Sequence, residues 1–450
     1  MEHLRNDDEA FLHRQAPDLI IEGGIIITMK EDESPLYDAK VLIRKGRITD
    51  IWKKNAYCFT DRHTEVIDAG NAIIMPGLIN THTHLAMTLF RGISDDLPLK
   101  RWLYEKIFPL EGKWLNPETV YWASLLGCAE MIASGTTCMA DGYFFEDETV
   151  RAVHQSGLRG LIAQGVLDFP APGVADPKDN LRTAGDFIEK WRSFSGNITP
   201  GMFCHSPLTC SQETLKNALN ISKAFHVPLQ IHLSETQEEV EEIVKKTGKR
   251  PVYYLTQLGL LCEDLIAAHA VHLDETEIAC LKRHGAKIVH VPESNMKLSS
   301  GVSRAAYMLG AGLTVGLGTD GCASNNNLDM FCEMDTAAKL AKVMSNDPTS
   351  LNAKTVLKMA TSYGAAVLGL EDDIGTIEPG KFADIIVVDL NSPHLCPVYD
   401  PISTLVYSAK GSDVRDVIVN GKVLMRDRKI ITLDTEEIMK RVKDVSSKIY

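Results

Sequence analysis

The stretch PGLINTHTHL (76–85) ends an apolar run in two histidines, His82 and His84, with one residue between them. In a strand, residues i and i+2 face the same way, so the two imidazoles can converge on one metal ion. Further on, other histidines and carboxylates close apolar, strand-like runs in the same manner: Asp141, His205, His232, His269, His290 and Asp320. One histidine at a strand end is usually a satisfied structural residue. A series of them, at the ends of successive strands, reads as a metal site.

Such a site needs a scaffold that gathers strand ends. Between about residues 76 and 370, strand-like and helix-like segments alternate, the pattern of βα units on a parallel sheet. The strand candidates are 73–79, 136–141, 158–167, 198–204, 228–233, 265–270, 287–291 and 313–320, which is the number a (β/α)₈ barrel requires. In such barrels the chemistry sits at the C-terminal ends of the strands. A helix is expected over 120–135, closing on Gly135.

Outside this region the pattern changes. Residues 18–75 hold short β-rich runs with a Lys45-Gly46 turn and read as a small antiparallel sheet. Residues 371–433 hold a matching set, with a hairpin signal at Asn420-Gly421. The two segments suggest one composite β-sandwich built from both ends of the chain, with the barrel as residues 76–370. Residues 434–450 read as a surface helix, with Asp434 and Glu437 as a capping box and Ile438, Val442, Val445 and Ile449 on one face.

Bulk properties exclude several roles. The 450 residues are 44% hydrophobic and 24% charged, as in globular proteins, with a net charge of −13. That balance argues against nucleic acid or an anionic membrane as partner. Ten scattered cysteines without a CxxC pair read as reduced thiols. The charged start, MEHLRNDDEAFLHRQAPD, does not resemble a signal peptide, and no apolar run is long enough to span a bilayer. The cytoplasm is the expected compartment.

Several motifs resemble a known family. HTH (82–84), IHLSET (231–236), AAHAVHL (267–273) and GLGTDG (316–321) are similar to the amidohydrolase superfamily. LPLKRWLYEKIFPLE (97–111), FCHSPLTCS (203–211) and GTDGCASNNNLDMFCEM (318–334) resemble, more narrowly, its 5-methylthioadenosine/S-adenosylhomocysteine deaminases. The resemblance runs from about Asp18 onward. It implies hydrolytic deamination of a nucleoside, a small-molecule substrate, and a homo-oligomer.

It also implies a ligand set of His82, His84, His232 and Asp320. Three imidazoles and a carboxylate suit Zn²⁺, with Fe²⁺ also compatible. Binuclear relatives carry a bridging lysine after the fourth strand; this chain has Cys204-His205, so one ion per subunit is expected. Deamination at C6 of a purine needs a hydroxide, a proton on the ring nitrogen and a proton for ammonia. Asp320, beside the metal, is placed to accept the water's proton. The resemblance makes Glu235 the proton shuttle to the ring nitrogen and His269 the group that orients the attacking water. It gives Trp102 the wall over the nucleoside, Glu111 the ribose hydroxyls, and His205 a further substrate contact. His290 and Asp141 read as polar support, and His154, His226, His272 and His284 as structural.

One departure bears on specificity. Relatives that take S-adenosylhomocysteine place arginines near the third strand and its following loop, where this chain has Gln164 and Asn180, with Arg159 and Arg182 out of register. An uncharged 5′-substituent is therefore expected. The alternatives are an s-triazine, guanine or cytosine deaminase on the same scaffold, or a scaffold protein without catalysis. A ribose acceptor at Glu111 argues against the first, and an intact ligand set with Glu235 against the second.

Overall fold

The computed structural model describes residues 16–449. The first fifteen residues, and with them most of the segment read as lacking a leader, lie outside the described residues, as does Tyr450.

Eight parallel strands form the central sheet: β1 (Leu78–Thr83), β2 (Thr136–Tyr143), β3 (Arg159–Val166), β4 (Ile198–Cys204), β5 (Leu229–Leu233), β6 (Leu265–His269), β7 (Lys287–His290) and β8 (Val315–Leu317). They neighbour one another in chain order. Their runs are almost wholly buried, as expected for parallel strands covered by helices on the outside and side chains within. The barrel closes between its first and last strands. Thr81 Oγ1 donates to the Leu317 carbonyl at 2.8 Å, and the Asp320 amide donates to the His82 carbonyl at 3.0 Å. Gly318 is required at that seam, since a Cβ there would sit 2.9 Å from the His82 backbone.

The first strand differs from its expected limits. The apolar run 73–79 divides at Gly77. Ala72–Pro76 pairs antiparallel with Ile385–Asp389 in a seven-stranded sheet, and only Leu78–Thr83 enters the barrel. Hydrophobic periodicity cannot see this break, because both halves are buried. His82 consequently lies within β1 rather than beyond it, and His84 just follows.

The seven-stranded sheet joins both ends of the chain, with Val414–Val419 and Ile385–Asp389 beside Ala72–Pro76 and Ile25–Ile26. It packs on a four-stranded sheet of Arg47–Lys53, Ala39–Arg44, Leu19–Glu22 and Glu65–Asp68 over a core that includes Ile21, Val41, Ile74, Ile385 and Ile418. The four-stranded sheet is mixed and not purely antiparallel: Glu65–Asp68 runs parallel to Leu19–Glu22. The stretch between Lys53 and Glu65 is long enough to reverse the chain, which a two-residue turn is not. Both expected hairpins form on left-handed residues, Lys45 (φ 49°) with Gly46 (φ 78°), and Asn420 (φ 51°) with Gly421 (φ 71°).

Two helices bear out their sequence signals. Pro117–Ala133 starts on an Asn116 capping box and is followed by Gly135 at φ 88°. Thr435–Ser446 is capped by Asp434, whose carboxylate accepts from the Glu437 amide at 3.0 Å, and it buries Ile438 and Val442 on the body. No helix among the described residues is long and apolar enough to cross a membrane.

Candidate active site

The strand ends do meet. His82, His232, His269 and Asp320 each bring a ligand atom within 4.8 Å of the others, and all four are buried. His84 completes the ring of groups, its Nε2 lying 3.2 Å from Asp320 Oδ1. His82 Nε2 is 3.5 Å from the same oxygen and 3.2 Å from His232 Nε2. Ligand atoms bound ~2.0–2.2 Å from one tetrahedral ion lie roughly 3.3–3.6 Å apart, so these separations fit a single divalent cation. Two such ions would need a bridging group, and Cys204, at the end of β4, is buried and faces Cys210 instead.

The protonation of His82, His232 and Asp320 agrees with ligation, whereas for His84 burial is outweighed by hydrogen bonding to Asp320, which raises the imidazole above its usual value. Burial pushes the His82 imidazole down to about 4 and that of His232 well below its usual value, so both hold lone pairs. Burial alone would raise the Asp320 carboxyl, but hydrogen bonding to His82 and His84 holds it well below the usual carboxylate range. His84 places Nδ1 2.7 Å from the Gly142 carbonyl, which makes that atom the N–H and leaves Nε2 for the centre. His269 (φ 70°), Asp320 (φ 61°) and Ser234 (φ 50°) are all left-handed at strand ends, a conformation that clusters at functional sites.

A cavity opens directly on this cluster. Trp102, Phe108, Glu111, Tyr143, Phe203 and His205 line it together with His84, His232, Glu235, His269 and Asp320. The structure thus brings every candidate catalytic and substrate residue into one space. Trp102 opens a π-helical turn, Trp102–Ile107, that runs into the helix Phe108–Trp114 carrying Glu111. Glu111 Oε1 accepts from the Tyr143 hydroxyl at 2.5 Å, and burial pushes its carboxyl up to about 7. Glu235 is raised too, mainly by burial, with Oε2 3.7 Å from His269 Nε2. His205 stacks near His232 at 5.1 Å between ring centres, and burial pushes it down to about 3.

Other residues fall outside. Gln164 and Asn180 are buried but do not line the cavity; Asn180 Nδ2 donates to the Leu167 carbonyl at 2.7 Å. Arg159 is fully engaged with Asp384 at 2.9 Å at the opposite end of β3, and Arg182 is exposed and paired with Asp179 at 2.8 Å. Among the described residues, no lysine or arginine lines the inner cavity. Asp141 supports β1 by accepting from the Leu85 amide at 2.7 Å, and His290 is a buried neutral ring pushed down to about 4 by burial. His272 Nε2 donates to the Ser300 carbonyl, 2.6 Å away.

Several partners of the site have no sequence motif of their own: Tyr143, Ser294, Asn295 and Ser300. The one available signal is the polar run ESNMKLSS (293–300) directly after a barrel strand, too polar to be core.

An eight-stranded parallel barrel with a histidine and aspartate centre at its strand ends, joined to a sandwich from both chain ends, defines a class. A family model described as the amidohydrolase family matches residues 73–424, and the chain belongs to that family: it is a hydrolase of C–N bonds. It is 44% identical to a 5-methylthioadenosine/S-adenosylhomocysteine deaminase of Syntrophobacter fumaroxidans, over 96% of this chain and 98% of that one. It is 45% identical to a 5′-deoxyadenosine deaminase of Methanosarcina barkeri, over 94% and 96%. A solved adenosine deaminase of Xanthomonas campestris with bound zinc superimposes with a TM-score of 0.94 at 37% identity, covering 97% of this chain and 99% of that one.

Proposed function

We propose that this enzyme hydrolyses the C6–amino bond of adenosines with an uncharged 5′-substituent, 5′-methylthioadenosine foremost, releasing ammonia and the inosine analogue. The observation that carries the reading is that one cavity is lined by Glu111 and Glu235 together with His84, His232 and Asp320 of the metal cluster. A free base or triazine has no hydroxyls for Glu111 to receive. The names of the relatives in Syntrophobacter and Methanosarcina support the same substrate class.

His82, His84, His232 and Asp320 would hold one divalent ion, and zinc fits their donor types and the zinc-bound relative. Such an ion, when bound, acidifies water and so supplies a hydroxide nucleophile near neutral pH. The protein's residues do the rest. Glu235 stays protonated more readily than a solvated carboxylate and gives its proton to the ring nitrogen, drawing electron density from C6. His269 faces Glu235 through Nε2 and orients the attacking oxygen. Asp320 accepts one proton of the attacking water and passes it to the departing amine, and Glu235, having protonated the ring nitrogen, recovers a proton from the new C6 hydroxyl as ammonia leaves. Trp102 and Phe108 exclude water from the base and sugar.

The test is ammonia release from the zinc-loaded protein offered 5′-methylthioadenosine, 5′-deoxyadenosine, adenosine, S-adenosylhomocysteine, guanine and cytosine. Turnover of the free bases above the nucleosides overturns the reading.

A further inference from the structure

Glu235, His269 and Asp320 come from the ends of three different strands, β5, β6 and β8. A barrel fixes where such residues start but not how each side chain turns. One short segment does touch all three. Ser294 Oγ donates to Asp320 Oδ2 at 2.7 Å. Asn295 Oδ1 accepts from His269 Nδ1 at 2.9 Å. Ser300 Oγ donates to Glu235 Oε1 at 3.2 Å. All three partners are buried.

The pattern within these bonds is the same each time. Each reacting group has two polar atoms, and the segment engages the outer one. Asp320 Oδ2 is filled by Ser294 and by Ser324, also at 2.7 Å, which leaves Oδ1 facing His82 and His84. His269 gives its Nδ1 hydrogen to Asn295, which leaves Nε2 facing Glu235. Glu235 Oε1 is held by Ser300, which leaves Oε2 for the cavity.

The segment is itself tied down. Its helix, Pro292–Lys297, starts beside Glu293, whose amide donates to Glu333 Oε2 at 3.2 Å and whose carboxylate accepts from Asn327 at 2.9 Å and Thr336 at 3.1 Å. The Ser300 amide closes back on the Asn295 carbonyl at 2.9 Å. Within the run, Leu298 lines the cavity.

We propose that Pro292–Ser300 is a single positioning element that sets the working orientation of Asp320, His269 and Glu235 at once, through Ser294, Asn295 and Ser300. The inference rests on the roles proposed above for those three groups.

The test uses the full-length, metal-loaded enzyme with Ser294→Ala, Asn295→Ala and Ser300→Ala, each beside a variant that keeps the bonding atom: Ser294→Thr, Asn295→Asp and Ser300→Thr. With 5′-methylthioadenosine, Asn295→Ala and Ser300→Ala lower kcat about ten- to a hundredfold and leave KM within about threefold; the conservative variants recover most of the loss. In cobalt(II)-substituted protein without substrate, Ser294→Ala shifts the visible spectrum and speeds removal of the ion by chelator about ten- to a hundredfold, and Ser294→Thr does neither. Unchanged kcat, losses that appear in KM alone, or losses the conservative variants do not recover would overturn the proposal. So would a cobalt spectrum of Ser294→Ala identical to wild type. A wild-type enzyme inert on every nucleoside would instead remove the substrate reading, and the cobalt measurements would still decide the positioning role.

Discussion

Tyr143 donates its hydroxyl to Glu111 Oε1 at 2.5 Å in the cavity wall, so Glu111 enters binding with one oxygen already occupied. Truncating that hydroxyl removes a bond without removing the acceptor. Tyr143→Phe should raise KM for 5′-methylthioadenosine about tenfold while kcat falls less, the signature of lost ground-state positioning. Equal losses in kcat and kcat/KM would place Tyr143 in the chemistry instead.

The same carboxyl carries a pH dependence. Burial pushes Glu111 up from its ordinary 4.5 to about 7, so the folded state binds this proton more tightly than the unfolded chain does. Its contribution to stability is fully present below pH 4.5 and is lost as pH rises through about 7. The Tm of the substrate-free enzyme should therefore fall across that window, and Glu111→Gln, which cannot ionise, should flatten the decline. A Gln variant with the wild-type slope would assign the effect elsewhere.

Glu235→Gln should keep fold and metal yet lose about 10²–10⁴ in kcat, the usual contribution of a positioned proton donor. Its Oε1 contact to Ser300 survives the change, so a thermal melt should move little. Wild-type turnover by this variant on any nucleoside removes the shuttle role.

Elemental analysis of protein purified without added metal should find about one divalent ion per chain, because His82 Nε2 and His84 Nε2 lie 3.5 and 3.2 Å from one Asp320 oxygen and His82 Nε2 lies 3.2 Å from His232 Nε2. Chelation should abolish activity and zinc should restore it. Two ions at full occupancy would contradict the mononuclear assignment.

Competition between 5′-methylthioadenosine and S-adenosylhomocysteine should favour the former by about ten- to a hundredfold in kcat/KM. The inner cavity has no cation, and Arg159 and Arg182 are committed to Asp384 and Asp179. Lys100 and Lys297 stand further out, already paired with Glu242 and Asp95 at 2.7 Å each. Equal or reversed preference would mean that one of these lysines exchanges its carboxylate for the substrate's.

Legibility in the sequence followed the physics of each signal. The barrel strands could be read because parallel strands are continuous apolar runs, and their polar terminal residues stand out against that background: His232 and His269 sit within a residue of the expected ends. What could not be read was anything decided by pairing. Gly77 divides one apolar run between two sheets, since a Cβ there would meet the Thr137 side chain at 2.0 Å, yet neither half changes in hydrophobicity. Likewise Glu65–Asp68 looks identical whether it runs parallel or antiparallel to its neighbour. Ser294, Asn295 and Ser300 were illegible for a different reason: their targets lie on other strands, and serine or asparagine in a loop is ordinarily a turn residue.

The pairing of Met75 with Ile386 has a consequence for how the enzyme is made. The strand that leads towards His82, Ala72–Pro76, pairs on one side with Ile25–Ile26 and finds its other lateral partner more than three hundred residues later, after every candidate ligand has been synthesised. A nascent chain that stops short of residue 385 carries a complete set of histidines and all eight barrel strands, while the strand that feeds the barrel, Ala72–Pro76, is paired on one flank only. Contacts so distant in sequence close slowly and late. Completion of the sheet beside the barrel is thereby deferred to the end of synthesis.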